Sequence, residues 1–187
     1  MSFLKNSPLS NIELFNLMTI IKLEKIISGG QSGVDRAALD ASIKFKIPHG
    51  GWCPKGRSAE DGMIDACYQL NETDSVDYNV RTKFNIRDSD GTLIIISSMP
   101  INVIDGTILT INEVIEKNKP YLIIDLSKKN VLRQIINWLE EAKIKTLNVA
   151  GPRESQCPGI YKKSLKLLTT MLSLIEVNVN IWMQQMR

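Results

Sequence analysis

The chain has 187 residues, of which 43% are hydrophobic and 23% charged, and its 23 basic and 20 acidic residues give a net charge of +3. This length suits one domain with a substantial core, and the composition is that of an ordinary globular protein. Because the charge is small and dispersed, it argues against a nucleic-acid or membrane surface. No run of 18 apolar residues occurs, so we predict no membrane span.

The three cysteines, Cys53, Cys67 and Cys157, are odd in number and lack a CxxC spacing. They predict free thiols rather than a disulfide framework, and a cytoplasmic location suits free thiols. His49 is the only histidine, and no zinc-type spacing surrounds it. We therefore predict no metal site.

The first residues differ in character from the rest of the chain. Leu14, Phe15, Leu17 and Met18 are apolar, but Asn11, Glu13 and Asn16 stand before and among them, which is unlike the apolar core of a signal peptide. We predict an N-terminal extension over residues 1–22 and one ligand-binding domain over residues 23–187. Whether residues 1–17 are a genuine extension or reflect a start codon assigned too early stays open.

Short apolar runs alternate with longer amphipathic segments, which is typical of βαβ units around a parallel sheet. In chain order the first half predicts a strand at 23–28, a helix at 32–45, an extended stretch ending near 47–48, an irregular region at 50–74, a helix at 77–86 and a turn at 88–91. The second half predicts strands at 92–97, 121–125 and 146–150 and helices at 106–117, 128–142 and 159–176. The predicted fold is α/β, a three-layer Rossmann-like domain whose mostly parallel sheet has helices on both faces.

Glycine-rich and polar segments follow the predicted strands, where each strand ends. They occupy residues 29–33, 49–56, 105–107 and 151–155. In an open parallel sheet these segments meet at the carboxyl edge, where ligands bind in such folds. Glycine lets the backbone N–H groups approach a ligand closely, and a helix start adds partial positive charge.

One glycine-rich turn is a weak signal, but three on one sheet edge favour a binding site for a small anionic, phosphate-bearing molecule. The sequence contains neither GxGxxG nor GxxxxGK[ST], so neither an NAD dehydrogenase nor a P-loop ATPase is supported. The predicted ligand-binding residues are Gly29, Gly30, Gln31, Ser32, Gly33, Lys55, Arg81, Asn85, Gly106, Thr107, Gly151, Arg153, Glu154 and Ser155.

Four long strings, at residues 29–43, 47–62, 88–95 and 147–161, resemble the family named putative molybdenum carriers, and the resemblance runs from about residue 24 to 173. That family is grouped with LOG-like (lysine-decarboxylase-like) Rossmann domains and is related to the YpsA type by circular permutation. The resemblance implies a nucleotide- or pterin-type ligand, with molybdenum cofactor as the named candidate, and a homo-oligomer. Further positions that fit the family are Leu70, Glu72, Thr73, Arg81, Thr82 and Asn85.

Two alternatives remain beside a carrier. One is a nucleotide-derivative hydrolase of the phosphoribohydrolase type, whose GTxxE motif this chain lacks because Thr110 stands in place of the glutamate and Glu113 follows one turn later. Asp105 is a second departure from the family pattern, in which a small residue is expected at this position. A carboxylate there would oppose the binding of an anionic ligand. The other alternative is a domain without a ligand. Candidate carboxylates for a hydrolase are Glu72, Glu113 and Glu154, with Asp88 or Asp90.

Overall fold

The structure is a computed structural model that describes residues 21–99 and 106–185, with side chains described as far as residue 176. In this part the strands are β1 (Lys25–Ile27), β2 (His49–Gly50), β3 (Trp52–Cys53), β4 (Ser58–Ala59), β5 (Gly62–Met63), β6 (Asn71–Glu72), β7 (Gly91–Ile96), β8 (Tyr121–Asp125) and β9 (Thr146–Ala150). The helices are α1 (Val34–Lys44), α2 (Tyr78–Arg87), α3 (Gly106–Glu116), α4 (Val131–Glu141) and α5 (Ile160–Gln185), with a 3-10 turn at Lys55–Arg57.

A five-stranded sheet organises the domain, in the order β2-β1-β9-β7-β8, and all of its neighbouring strands are parallel. The last strand along the chain, β9, lies between the first strand and the pair β7 and β8. After β1 the chain continues to β2, which is the edge strand at one end of this order, and after β7 it continues to β8 at the other end. The loops after β1 and β9 meet at the carboxyl edge, as in a topological switch point.

The most apolar strand, β7, explains the three layers, because its successive side chains point to opposite faces. Leu93 and Ile95 belong to the main core with residues of α1, α4 and α5. Ile94 and Ile96 pack instead with residues of α2 and α3. All four are at most 2% exposed, so both faces of the sheet are covered by helices. The predicted three-layer Rossmann-like fold is confirmed.

The segment predicted as irregular folds into two short ribbons, β3 with β6 and β4 with β5. Arg57 organises it, because its guanidinium donates hydrogen bonds at 2.8–3.1 Å to the carbonyls of Ile64, Asp65, Tyr68 and Leu70. This excursion, residues 51–74, has an apolar cluster of its own that packs against Leu39 of α1. Its buried members are Cys53, Ala59, Ile64 and Leu70.

Most element boundaries differ from prediction by one to three residues, and two differences are informative. The second strand was expected to end near residues 47–48, but β2 is His49–Gly50. It pairs with β1 through hydrogen bonds from the Ile26 and Ser28 N–H groups to the Pro48 and Gly50 carbonyls, and Pro48 contributes there only as an acceptor. The last helix also continues to Gln185 rather than ending at residue 176. Within the described ranges no helix is both long and apolar enough to cross a membrane.

Candidate functional site

A small pocket opens at the carboxyl edge of the sheet, where the loops after β1 and β9 meet the beginning of α3 and one face of α2. Its volume is about 30 Å³, which is room for roughly two water molecules or for one terminal group of a larger ligand. The lining residues are Gln31, Asp35, Arg81, Thr82, Gly106, Thr110, Ala150, Gly151 and Arg153.

Gln31 is held in one orientation by its amide oxygen. The oxygen accepts hydrogen bonds from the backbone N–H groups of Ser32 at 3.0 Å and Glu60 at 2.9 Å. The opposite amide orientation would place an NH₂ group against two N–H donors, so these bonds fix the assignment of the oxygen and nitrogen. The amide nitrogen Nε2 is buried and has no hydrogen-bond partner among the described residues.

Arg81 reaches the pocket from α2 and forms an ion pair with Asp35 of α1. The distance from Nη1 to Oδ2 is 2.8 Å, and the two side chains are 14% and 3% exposed. The guanidinium lies directly over Gly29, since a Cβ on that residue would stand 1.6 Å from Nη1. The Arg81 Nε is buried and lacks a partner in the described part of the chain.

Asp35 is the acidic member of the pocket. Burial raises the pKa of its carboxyl, and the charge of Arg81 with hydrogen bonds from Arg81 and the Gln31 N–H act in the opposite direction. Because its Oδ2 is already engaged by Arg81 at 2.8 Å and by the Gln31 N–H at 3.4 Å, the carboxylate serves mainly to orient the guanidinium. Arg81 Nη1 is therefore engaged, whereas its Nε keeps an unused N–H.

Two further features make the pocket electropositive. The described part of α3 begins at Gly106, and the amino end of a helix carries partial positive charge. Arg153, from the loop after β9, adds a second guanidinium at the pocket wall. Thr110 turns its hydroxyl to the Gly106 carbonyl at 2.6 Å. Asp105, expected to disfavour an anion, lies outside the described residues.

The donor set determines what this pocket can bind. Gln31 Nε2 and Arg81 Nε are both N–H donors, and a buried donor left without a partner costs about 1–3 kcal/mol. An acceptor-rich group restores both hydrogen bonds, and a negative charge is further favoured by the two arginines. The arrangement is thus complementary to the oxygens of an anion.

Ser32 and Ser155 were predicted to hold the same anion, but the structure pairs them with Glu60, a residue that the sequence analysis did not select. The Ser32 and Ser155 hydroxyls both donate to the Glu60 carboxylate in short hydrogen bonds, and the Ser155 N–H donates to it at 3.1 Å. Arg153 Nε lies 3.9 Å from the same carboxylate. Partial burial disfavours ionisation, but the hydrogen bonds from Ser155 and Ser32 outweigh it and lower the pKa of Glu60.

Gly33 brings the loops after β1 and β9 into contact. Its φ is +80°, and a Cβ there would stand 2.4 Å from the Pro152 carbonyl oxygen. The Val34 N–H donates to that same carbonyl at 3.2 Å. This close approach explains how Ser32 and Arg153, which are distant in sequence, come to lie on either side of Glu60.

Several predicted binding residues have other contacts. Lys55 is exposed in the 3-10 turn and is absent from the pocket lining. Asn85 exchanges hydrogen bonds with the backbone of Trp52, at 2.8 and 3.0 Å, and so joins α2 to β3. Glu154 accepts from the Gly159 and Tyr161 N–H groups and thereby satisfies donors at the start of α5. Gly30 and Thr107 are buried beside the pocket.

The carboxylates considered for hydrolysis are also engaged away from the pocket. Glu72 accepts from the Gly56 N–H at 2.6 Å. Glu113 is 4% exposed and lies between two lysines, Lys83 at 3.7 Å and Lys117 at 3.8 Å.

Two aspartates considered with them precede β7 and so lie toward the amino edge of the sheet. Asp90 accepts from the Lys145 and Thr146 N–H groups where β9 begins. Asp88 accepts from the Trp52 ring at 2.7 Å. Because β7 runs from the amino to the carboxyl edge, neither aspartate stands beside the pocket.

Metal-binding side chains do not cluster in the described part of the chain. There, no group of three or more His, Cys, Asp or Glu residues is close enough to hold a metal ion. The cysteines are free thiols: Cys53 is buried, Cys157 is half-buried and Cys67 is exposed. None of them lines the pocket.

Comparison with known proteins agrees with the motifs quoted above. The model of the circularly permutated YpsA SLOG family matches residues 26–172. The chain is also similar to a solved protein from Syntrophus aciditrophicus SB named "Putative molybdenum carrier protein", with 46% identity, a TM-score of 0.76, and coverage of 81% of this chain and 96% of that one. A search of curated proteins returned no match. Since the family model spans most of the chain, the chain belongs to the circularly permutated YpsA SLOG family.

Proposed function

We propose that this protein is a carrier that binds an anionic, phosphate-bearing small molecule, with the anionic group in the pocket at the carboxyl edge of the sheet. Gln31 Nε2 and Arg81 Nε donate hydrogen bonds to the group, and Arg153 and the amino end of α3 add favourable charge. Molybdenum cofactor, which carries a phosphate, is the candidate cargo because the similar solved protein is named as a molybdenum carrier.

The observation that carries the proposal is the amide of Gln31. Gln31 is 6% exposed, and its amide oxygen is fixed by two backbone donors. The NH₂ group belongs to a residue that lines the pocket, and it is buried without a partner in the described residues. A native fold leaves few buried polar groups unsatisfied, and a ligand acceptor at this position would satisfy the Gln31 amide.

Carriage is favoured over hydrolysis by the same geometry. Thr110 occupies the helical position at which the GTxxE motif has its glutamate, and it lines the pocket without offering a carboxylate. Asp35 is the acidic residue in the lining, and it is committed to Arg81. The pocket thus has hydrogen-bond donors for a ligand. Its described residues include no carboxylate that is available for general acid–base chemistry.

The test is native mass spectrometry of freshly purified protein, followed by denaturation and identification of the released molecule. We expect a phosphate-bearing pterin or nucleotide to be released from the wild type. The Gln31→Glu variant keeps an oxygen for the two N–H donors but places a negative charge in the pocket, so we expect it to be isolated empty.

Gln69→Glu is the matched control, because it makes the same chemical change at an exposed position outside the pocket. It is expected to retain the bound molecule. Release of a molecule from Gln31→Glu in the same amount as from the wild type would place the binding site elsewhere. A wild-type protein that is empty, and that shows no thermal shift with molybdate, nucleotides or pterins, would contradict the carrier proposal.

A further inference from the structure

The donors that surround the Glu60 carboxylate are of the kinds that form binding sites for free anions. Two serine hydroxyls, one backbone N–H and a nearby guanidinium converge on one carboxylate. These groups come from the loops after β1 and β9, while Glu60 itself comes from the β4–β5 ribbon of the excursion. The loops at the sheet edge thus position the donors, and a different segment of the chain supplies the carboxylate that they bind.

The direction of the hydrogen bonds shows that the donors are arranged for an acceptor. The Ser32 oxygen accepts from the Glu154 N–H at 3.1 Å, so its own proton is available to point at Glu60. The Ser155 hydroxyl and its backbone N–H address the two carboxylate oxygens. Hydroxyl, N–H and guanidinium donors of this kind bind phosphate oxygens as readily as they bind a carboxylate.

The site is also accessible from solvent. Ser155 is exposed, and the side chains of Glu60 and Arg153 are 19% and 31% exposed. The β4–β5 ribbon that carries Glu60 consists of two residue pairs, Ser58 with Met63 and Ala59 with Gly62. A ribbon this short is held by few backbone hydrogen bonds, so displacement of the Glu60 side chain does not require the sheet to move.

We infer that Ser32, Ser155 and Arg153 form a second anion-binding site, which Glu60 occupies in this structure and which takes a phosphate group when the Glu60 carboxylate is displaced. Glu60 acts as an internal competitor: its carboxylate must leave before a phosphate can enter. Arg153 lies at both sites, since it lines the Gln31 pocket and stands 3.9 Å from Glu60. The inference rests on the proposed function in one respect: it takes the ligand of the Gln31 pocket to carry a second anionic group that reaches the Glu60 site.

The test uses inorganic phosphate as the probe and compares two variants that each remove one negative charge from the same ribbon. Glu60→Ala vacates the site, whereas Asp61→Ala removes a neighbouring carboxylate that is 49% exposed and pairs with Arg36. Calorimetric titration at constant ionic strength should give a phosphate Kd at least about tenfold lower for Glu60→Ala than for Asp61→Ala. Adding Ser155→Ala to Glu60→Ala should remove most of that gain.

Equal phosphate affinity in the Glu60→Ala and Asp61→Ala variants would overturn the inference, and so would a gain that Ser155→Ala leaves intact. If Glu60→Ala does not fold, Glu60→Gln replaces it, because that side chain keeps its length while losing its charge. Repeating the comparison with Gln31→Glu in both variants separates the two proposals. The gain at Glu60 is expected to persist there, whatever Gln31→Glu does to the first pocket.

Discussion

Substitution of Gly29 by alanine is expected to disrupt the site through a single contact. The Gly29 φ lies outside the left-handed region, so the backbone accepts a side chain without strain. The new Cβ would lie 1.6 Å from Nη1 and 2.3 Å from Cζ of Arg81. The guanidinium must move away, which weakens its ion pair with Asp35.

The cost follows from the burial of that pair. The Asp35 side chain is 3% exposed, so loss of its partner leaves a buried charge uncompensated. Breaking a buried ion pair in this way costs about 3–5 kcal/mol. Because the guanidinium is the far end of a flexible side chain and still reaches Asp35 from a shifted position, we expect Gly29→Ala to lower the free energy of unfolding by about 2 kcal/mol, less than complete loss of the pair would cost.

Urea denaturation followed by circular dichroism measures this loss, and a second background identifies its cause. In an Asp35→Asn, Arg81→Ala background the same Gly29→Ala change should cost less than about 1 kcal/mol, because both the clash and the ion pair are gone. Gly106→Ala is the control, since a Cβ there meets nothing within 4 Å. An equal cost of Gly29→Ala in both backgrounds would refute the assignment of the effect to Arg81.

Three further outcomes follow from contacts outside the pocket. Arg57→Met removes the donors for four carbonyls, so hydrogen exchange of residues 58–72 should report a local opening energy lower by at least about 2 kcal/mol; unchanged exchange would contradict this role. Asp90→Ala removes the acceptor for two N–H groups of β9 and should cost about 1–2 kcal/mol in urea denaturation without changing ligand binding; a loss of binding would contradict its placement at the amino edge. Because the pKa of Glu60 lies below its ordinary value of 4.5, its stabilisation of the β4–β5 ribbon is present above about pH 4.5 and is lost as pH falls through the lower folded-state pKa. As the pH falls, hydrogen exchange of the ribbon should therefore accelerate in the wild type but not in Glu60→Gln, once the rates are corrected for the intrinsic pH dependence of exchange.

The fold was predictable because its signals are local. The central strand is a continuous apolar run, and the helices repeat apolar residues at helical spacing, so strands β8 and β9 were placed at their observed bounds. The glycine-rich loops after β1 and β9 lie at the carboxyl edge, as expected where parallel strands end, and ligand binding there stays a prediction. Homo-oligomerisation, implied by the family resemblance, stays a prediction.

The details of the site were less predictable because they depend on the excursion between β2 and α2. No periodicity in that segment indicates that Arg57 folds it back or that Glu60 returns to Ser32 and Ser155. A carboxylate flanked by Ala59 and Asp61 resembles an ordinary solvated turn in the sequence. Asn85 was selected from its helical spacing with Arg81, but spacing alone does not reveal that it hydrogen-bonds the backbone of β3.

The binding pocket itself is tested most directly by locating an anion within it. Crystals soaked in sodium molybdate, a tetrahedral oxyanion of the shape of phosphate, can be measured at the molybdenum absorption edge. The account predicts an anomalous peak in the pocket, with oxygens within hydrogen-bond distance of Gln31 Nε2 and Arg81 Nε, that is absent from crystals of Gln31→Glu. Molybdate ordered elsewhere on the protein, with the wild-type pocket empty, would contradict it.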